Sequence, residues 1–115
     1  MRYLTLCLFA AGPALADPPE ISDSSARLAG DGWRFSVTIA HPDTGWDHYA
    51  NGWRVEAADG TILGVRGLAH PHVAEQPFTR SLSGVEVPTG ARMVHIRARC
   101  SVDGWNADRV AFTLR

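Results

Sequence analysis

Residues 53–68, WRVEAADGTILGVRGL, have the pattern of a β-hairpin. Apolar and polar side chains alternate over residues 53–57, and the side chains of an extended chain point alternately to the two faces of a sheet. The pair Asp59-Gly60 then supplies a two-residue turn, which is among the strongest short-range hairpin signals. We therefore expect residues 61–68 to run back as a second strand.

Alternating runs of the same kind occupy most of the remaining chain. Besides the hairpin, strands are predicted at residues 21–29, 33–40, 78–82, 85–87, 93–100 and 110–114. About seven short strands separated by turn residues predict an all-β domain, a two-sheet sandwich of immunoglobulin or fibronectin type III character. A small β-barrel is the alternative. The alternation is clearest in the strand predicted at residues 93–100. Cys100 lies there on the same face as Val94, Ile96 and Ala98, so we expect its thiol to be buried.

The first sixteen residues have the features of a cleaved signal peptide. Arg2 supplies a positive charge, residues 3–11 form a short apolar run, and ALA at residues 14–16 offers small residues for cleavage. The apolar run is shorter than the about 20 residues that a membrane-spanning helix needs. We therefore expect one mature domain, residues 17–115, that is exported to the periplasm or secreted and does not insert into a membrane.

The charges of the chain are balanced. Eleven Lys and Arg residues stand against twelve Asp and Glu residues, and no run carries a single sign. This composition argues against binding to nucleic acid or to an anionic membrane. After the expected cleavage Cys100 is the only cysteine, so a disulfide within the mature monomer is excluded. Packing, alone or with a ligand, must then stabilise the domain.

The segment His70-Pro71-His72 is a candidate metal-binding motif. Proline disfavours a helical conformation in the residue before it, so the segment should be extended. Residues i and i+2 of an extended chain point the same way, roughly 7 Å apart at Cα, and two imidazoles so placed can bind one ion. Glu75 follows and adds an oxygen ligand or a hydrogen-bond acceptor for a ring.

A second loop carries further nitrogen and oxygen donors, notably His41 and His48. If the two loops meet at one end of the sandwich, two to four histidines and a carboxylate would suit Zn²⁺ or Cu²⁺. One methionine and one cysteine in the mature chain leave few soft ligands for a Cu(I) carrier. The alternative is that these histidines have structural roles or recognise a partner.

The same loop also has the composition of a recognition surface. Trp46, Asp47 and Tyr49 could contact a protein or a glycan, because Trp and Tyr provide rigid contact area with a polar tip. The alternative is that the aromatic rings pin the loop over the end of the sandwich. We expect no enzymatic activity and no catalytic residue, because Cys100 and His95 have opposite parity and the chain lacks the motifs of common hydrolases.

Two signatures resemble those of a group of small exported bacterial proteins of uncharacterised function. They are HPDTGWDHY at residues 41–49 and HPHVAEQPFTRSL at residues 70–82. The resemblance covers residues 38–96 and implies that the two loops act together, but it implies no activity. In architecture the chain is also similar to periplasmic copper-carrier domains of the CopC type, which are β-sandwiches with histidine and acidic copper sites. It differs from them at its expected mature terminus, which is Asp17 and not a histidine.

Overall fold

A computed structural model describes residues 18–115, which form eight strands and no helix. The expected signal peptide, residues 1–16, lies outside the described residues. The strands are β1 (Glu20–Ala29), β2 (Gly32–Ala40), β3 (Ala50–Glu56), β4 (Ile62–Gly67), β5 (Phe78–Val85), β6 (Met93–Cys100), β7 (Gly104–Trp105) and β8 (Val110–Thr113).

The strands form two antiparallel sheets. One sheet has the order β1-β2-β5, and the other has the order β4-β3-β6-β7, with β8 also paired to β6. The sheets remain separate and do not close into a barrel, so the predicted all-β sandwich is confirmed. Within residues 18–115 no helix is long and apolar enough to cross a membrane.

The core lies between the two sheets and follows the predicted alternation. Phe35, Val37 and Ile39 of β2 are buried, as are Trp53 and Val55 of β3. The face of β6 that the alternation predicts to point inward is buried along its whole length. It ends at Cys100, whose thiol is also buried. Removing such side chains from water is the main stabilising contribution, about 1.5–3 kcal/mol for each large apolar residue.

The hairpin that the sequence predicts is formed by β3 and β4. The amide of Gly60 donates to the carbonyl of Ala57 at 2.9 Å, and the amide of Ala57 donates to the carbonyl of Thr61 at 2.8 Å. Gly60 has a φ of +93°, a left-handed conformation that glycine adopts without a steric penalty. The Asp59 carboxylate also accepts from the Thr61 amide at 2.9 Å, which stabilises the turn.

Two strand boundaries differ from the prediction. The run predicted at 78–82 continues through Gly84, at a φ of +72°, to the end of β5 at Val85, and residues 86–87 of the run predicted at 85–87 are not in a strand. The pairing of β5 with β2 shifts register between Trp33 and Phe35, so the irregularity is absorbed without ending the strand. The two-residue strand β7 was not predicted, because two residues are too few to show an alternation.

One acidic side chain departs from the simple alternation. Glu56 lies on the outer face of its sheet but is only 1 % exposed. Its carboxylate accepts from Arg54 Nε at 2.7 Å, from Arg97 Nε at 2.8 Å and from Arg109 Nη1 at 3.0 Å. The three guanidinium groups cover the carboxylate and pair with its negative charge. Glu56 is therefore buried although the alternation of β3 predicts that its side chain faces solvent.

The stability of the protein is expected to fall as the pH drops from about 5 to about 2, because Glu56 becomes protonated. Burial raises the pKa of Glu56, but hydrogen bonds from Arg97, Arg54 and Arg109 outweigh it and lower the pKa from 4.5 to about 2. A carboxyl with a lowered folded-state pKa stabilises the fold above its unfolded pKa, and this contribution is lost as the pH falls through the folded value. The lowering corresponds to roughly 3 kcal/mol. Urea unfolding at a series of pH values measures the loss, and an acid profile unchanged in Glu56→Gln would contradict the assignment.

Candidate metal centre

A tight turn in residues 41–49, between β2 and β3, brings two histidines together. The amide of Thr44 donates to the carbonyl of His48 at 3.0 Å, and the amide of His48 donates to the carbonyl of Gly45 at 3.2 Å. This turn carries the chain back on itself with Gly45 at a φ of +144°. As a result the rings of His41 and His48 meet edge to face, with their centroids 4.8 Å apart.

The Asp43 carboxylate orients one of these rings and ties the loops to each other. Its Oδ1 accepts from His41 Nδ1 at 2.5 Å and from the Ala50 amide at 2.9 Å, and its Oδ2 accepts from the His72 amide at 2.8 Å. A carboxylate only accepts, so Nδ1 of His41 must carry the hydrogen. The lone pair of His41 is therefore on Nε2, which is the arrangement of a carboxylate–histidine–metal triad.

Cys100 completes the cluster from the neighbouring strand. It is the last residue of β6 and pairs with Ala50, the first residue of β3, so its side chain lies beside the loop that precedes β3. The Asp103 amide donates to Cys100 Sγ at 3.3 Å. One ring nitrogen from each of His41 and His48 and the Cys100 sulfur all lie within 4.8 Å of one another.

Both histidines of the cluster keep a buried nitrogen without a hydrogen-bond partner in the described part of the chain. These atoms are Nε2 of His41 and Nε2 of His48, and the side chain of His41 is fully buried. Buried polar atoms in folded proteins almost always have a partner, so each exception needs an explanation. Two free imidazole nitrogens beside a thiol are the donors that Zn²⁺ and copper ions bind.

The spacing of the donors is wider than in a metal complex. With bonds of about 2.0 Å to nitrogen and 2.3 Å to sulfur, two ligands of one ion in tetrahedral geometry lie roughly 3.5 Å apart. Bringing donors together from a spread of up to 4.8 Å requires a closure on the order of 1 Å. His48 is half-buried on the short turn, so it is the ligand best placed to move.

The two histidines of the HPH motif have different surroundings. The His72 ring is buried and stacks on Phe78, with centroids 3.8 Å apart, and its Nε2 lies 2.9 Å from Arg80 Nη2. A guanidinium only donates, so it occupies the lone pair that a metal would need. Burial, followed by the charges of Arg80 and His70, lowers the pKa of His72, which favours the neutral ring.

The remaining residues of that motif face solvent. His70 is exposed, and its Nδ1 lies 3.1 Å from the carbonyl of Pro71. Glu75 is exposed as well, with Oε1 at 3.8 Å from Arg80. The rings of His70 and His72 are near each other, with centroids 4.6 Å apart, but the group of three donors that the described residues bring together does not include them.

Of the five sequence-predicted ligands, the structure therefore groups His41 and His48 with Cys100, which the sequence had assigned only to the core. Alternation correctly placed Cys100 inside, but it gave no sign that β3 and β6 are neighbours. The signal that could have been read was its place at the very end of a strand, where loops from other elements gather.

The predicted recognition residues lie on the outside of the same turn. Trp46 is 68 % exposed, and its ring meets that of Tyr49 edge to face at 5.6 Å. Asp47 is exposed, and its carbonyl accepts from the Ser101 hydroxyl at 3.5 Å. The aromatic pair is therefore beside the candidate metal centre, with Trp46 exposed to solvent and Tyr49 half-buried.

A protein of Halomicrobium mukohataei that carries the name "Putative lipoprotein" is similar to part of this chain. The two are 45 % identical over 71 residues, which is 62 % of this chain and 34 % of the relative. This chain thus spans about a third of the length of that relative. No family model matches the chain, and no solved structure matches it.

Proposed function

We propose that this domain binds a divalent transition metal ion, Zn²⁺ or Cu²⁺, through His41 and His48. The observation that carries the proposal is that the two rings meet a third donor, Cys100, while their buried Nε2 atoms lack partners within the described chain. The hydrogen bond from His41 Nδ1 to Asp43 supports it, because metal-bound histidines commonly donate their other nitrogen to a carboxylate.

The proposed setting is outside the cytoplasm, either periplasmic or secreted. The expected signal peptide supports export, and so does the name of the similar Halomicrobium protein, which describes a lipoprotein. We propose binding and not catalysis, because the groups that come together are metal donors. Cys100 is buried at the end of β6 and is 1 % exposed, so a substrate has little access to its sulfur.

Calorimetric titration of the metal-free protein with Zn²⁺ and then Cu²⁺ is expected to show one ion per chain, with a Kd tighter than about 1 µM. His41→Ala and His48→Ala should each abolish this binding, because each removes a nitrogen ligand. His70→Ala is the matched control: it removes an exposed histidine of the neighbouring loop and should leave the affinity unchanged.

Two results would contradict the proposal. If His70→Ala or a His72→Ala variant lost the metal while His41→Ala kept it, the HPH motif would be the site. If neither Zn²⁺ nor Cu²⁺ bound to the folded wild-type protein, the proposed metal-binding function would be wrong. A thermal unfolding curve of each variant shows whether the protein is folded, so a failure to bind is not confused with a failure to fold.

A second candidate function is recognition of a protein or a glycan through Trp46, Asp47 and Tyr49. The observation that favours it is the exposure of Trp46, which is the most exposed of the large apolar side chains of the described residues and the one aromatic ring among those that are exposed. The edge-to-face contact with Tyr49 holds the indole in place, as an anchor of a binding surface requires. The failure of metal binding would make this turn the first place to seek a partner.

A further inference from the structure

The position of Cys100 points to a particular kind of ion. We infer that Cys100 binds the metal as a thiolate, and that the resulting site of two nitrogens and one sulfur holds copper in the monovalent as well as the divalent state. The inference rests on the proposed function, since it concerns the same site, but it can fail while metal binding by the histidines stands.

The geometry supports sulfur as a ligand and not only as a core atom. Cys100 is 1 % exposed, and its sulfur is in the same small cluster as the ring nitrogens of His41 and His48. The fully buried His41 ring, held by Asp43, keeps its Nε2 free for this cluster. On binding, the ion forms a bond to sulfur, the S–H bond breaks, and the proton leaves to solvent.

Asp103 contacts the Cys100 sulfur in two ways. Its amide donates a hydrogen bond to Sγ at 3.3 Å, and its Oδ2 accepts from the thiol at 3.7 Å, a contact that is lost when the ion replaces the thiol proton. Metal-bound thiolates depend on such contacts to their sulfur, which tune the metal as well as hold the ligand. The short turn after β6, which contains Asp103, therefore contributes to the site through its backbone.

The donor set favours copper over zinc. Structural zinc sites take four protein ligands in almost every case, whereas the described residues bring three donors together here. Thiolate is a soft ligand that suits monovalent copper as well as zinc, and two histidines with one cysteine form the trigonal set that copper also occupies as Cu²⁺. The one thiol of the described residues is thus placed where a Cu(I) site needs it.

The thiolate is also protected from the usual reaction with Cu²⁺. Two Cu²⁺ ions can each take one electron from two thiolates, which then join as a disulfide. Cys100 is the only cysteine among residues 18–115, and it is buried, so a second thiolate would have to come from outside the described residues and reach a buried sulfur. A Cu²⁺–thiolate bond can therefore persist in the folded monomer.

The test is an anaerobic titration with Cu(I) against a colorimetric Cu(I) chelator, together with a Cu²⁺ titration followed by visible absorption. The wild type is expected to take one Cu(I) per chain, and its Cu²⁺ complex should show an intense thiolate-to-copper charge-transfer band. In Cys100→Ser the band should disappear, and Cu(I) affinity should fall by more than the roughly 100-fold that loss of an outer hydrogen-bond partner can cause. Serine is the matched replacement, because it keeps the size of the side chain and removes the soft donor.

The outcomes separate the two proposals. Equal Cu(I) affinity in the wild type and Cys100→Ser, or a Cu²⁺ complex without the charge-transfer band, would overturn the thiolate inference while histidine-dependent binding stood. A wild type that binds neither Cu(I), Cu²⁺ nor Zn²⁺ would overturn both. If Cys100→Ser does not fold, the band and the stoichiometry of the wild type alone decide, because only a copper-bound thiolate produces that band.

Discussion

Replacing Glu56 with glutamine is expected to destabilise the protein by about 3 kcal/mol at neutral pH. Glutamine has nearly the same size and shape, so the change removes the negative charge and replaces one acceptor oxygen with an NH₂ donor. The guanidinium groups of Arg54, Arg97 and Arg109 would then face one another without their shared carboxylate. Removing one partner of a buried ion pair costs about 3–5 kcal/mol, and the lower end applies because the arginines are partly exposed.

Urea unfolding of the wild type and of Glu56→Gln at neutral pH measures this loss. Glu86→Gln is the matched control, because Glu86 is exposed and the same change there should alter stability by less than about 0.5 kcal/mol. The variant should also lose the acid sensitivity that the lowered pKa of Glu56 confers on the wild type. A loss below about 1 kcal/mol would mean that solvent satisfies the three arginines without the carboxylate.

Asp43→Ala is expected to cost about 3 kcal/mol of stability, since an unsatisfied buried donor costs about 1–3 kcal/mol. The amides of Ala50 and His72 would both lose their acceptor, and Nδ1 of His41 would lose its partner. The same change should weaken metal binding by about 10- to 100-fold, as is typical when the residue that orients a ligating histidine is removed. Both effects are expected because the Asp43 carboxylate holds the two loops together and also orients the His41 ring.

Thermal unfolding of the metal-free protein and metal titration measure the two effects separately. Asp47→Ala is the control, because Asp47 is an exposed aspartate of the same turn and its removal should change neither quantity measurably. A stable Asp43→Ala variant with unchanged metal affinity would show that the carboxylate does not orient His41. Loss of stability alone would limit Asp43 to tying the two loops together.

The main strands could be predicted from the sequence because each shows a pattern within a few consecutive residues. The side chains of β6 alternate without exception, and its inward residues are buried from Val94 to Cys100. The Asp59-Gly60 turn requires a left-handed glycine, and the structure has one at Gly60. Alternation and turn chemistry depend on a few consecutive residues, so a single sequence reveals them.

The short strand β7 and the burial of Glu56 could not be predicted from such local patterns. Gly104–Trp105 is a strand only because β6 offers it a partner, and Trp105 is held there by Arg54, whose guanidinium carbon lies 4.0 Å from the ring centroid. Glu56 is buried only because Arg97 and Arg109 reach it from other parts of the chain. Both features depend on contacts between residues that are distant in sequence.

Local patterns in the sequence were enough to predict the all-β class, the hairpin, the inward faces of β2, β3 and β6 and the donor-rich loops. These properties follow from local alternation, turn residues and composition, which do not depend on how the strands are ordered. Which donors meet, in contrast, depends on the order of the strands. The pairing of β3 with β6 places Cys100 beside His41 and His48, and the contact of Arg80 with His72 removes that ring from the cluster. Strand order is set by packing across the whole domain, so no local pattern could assign the three residues to one site.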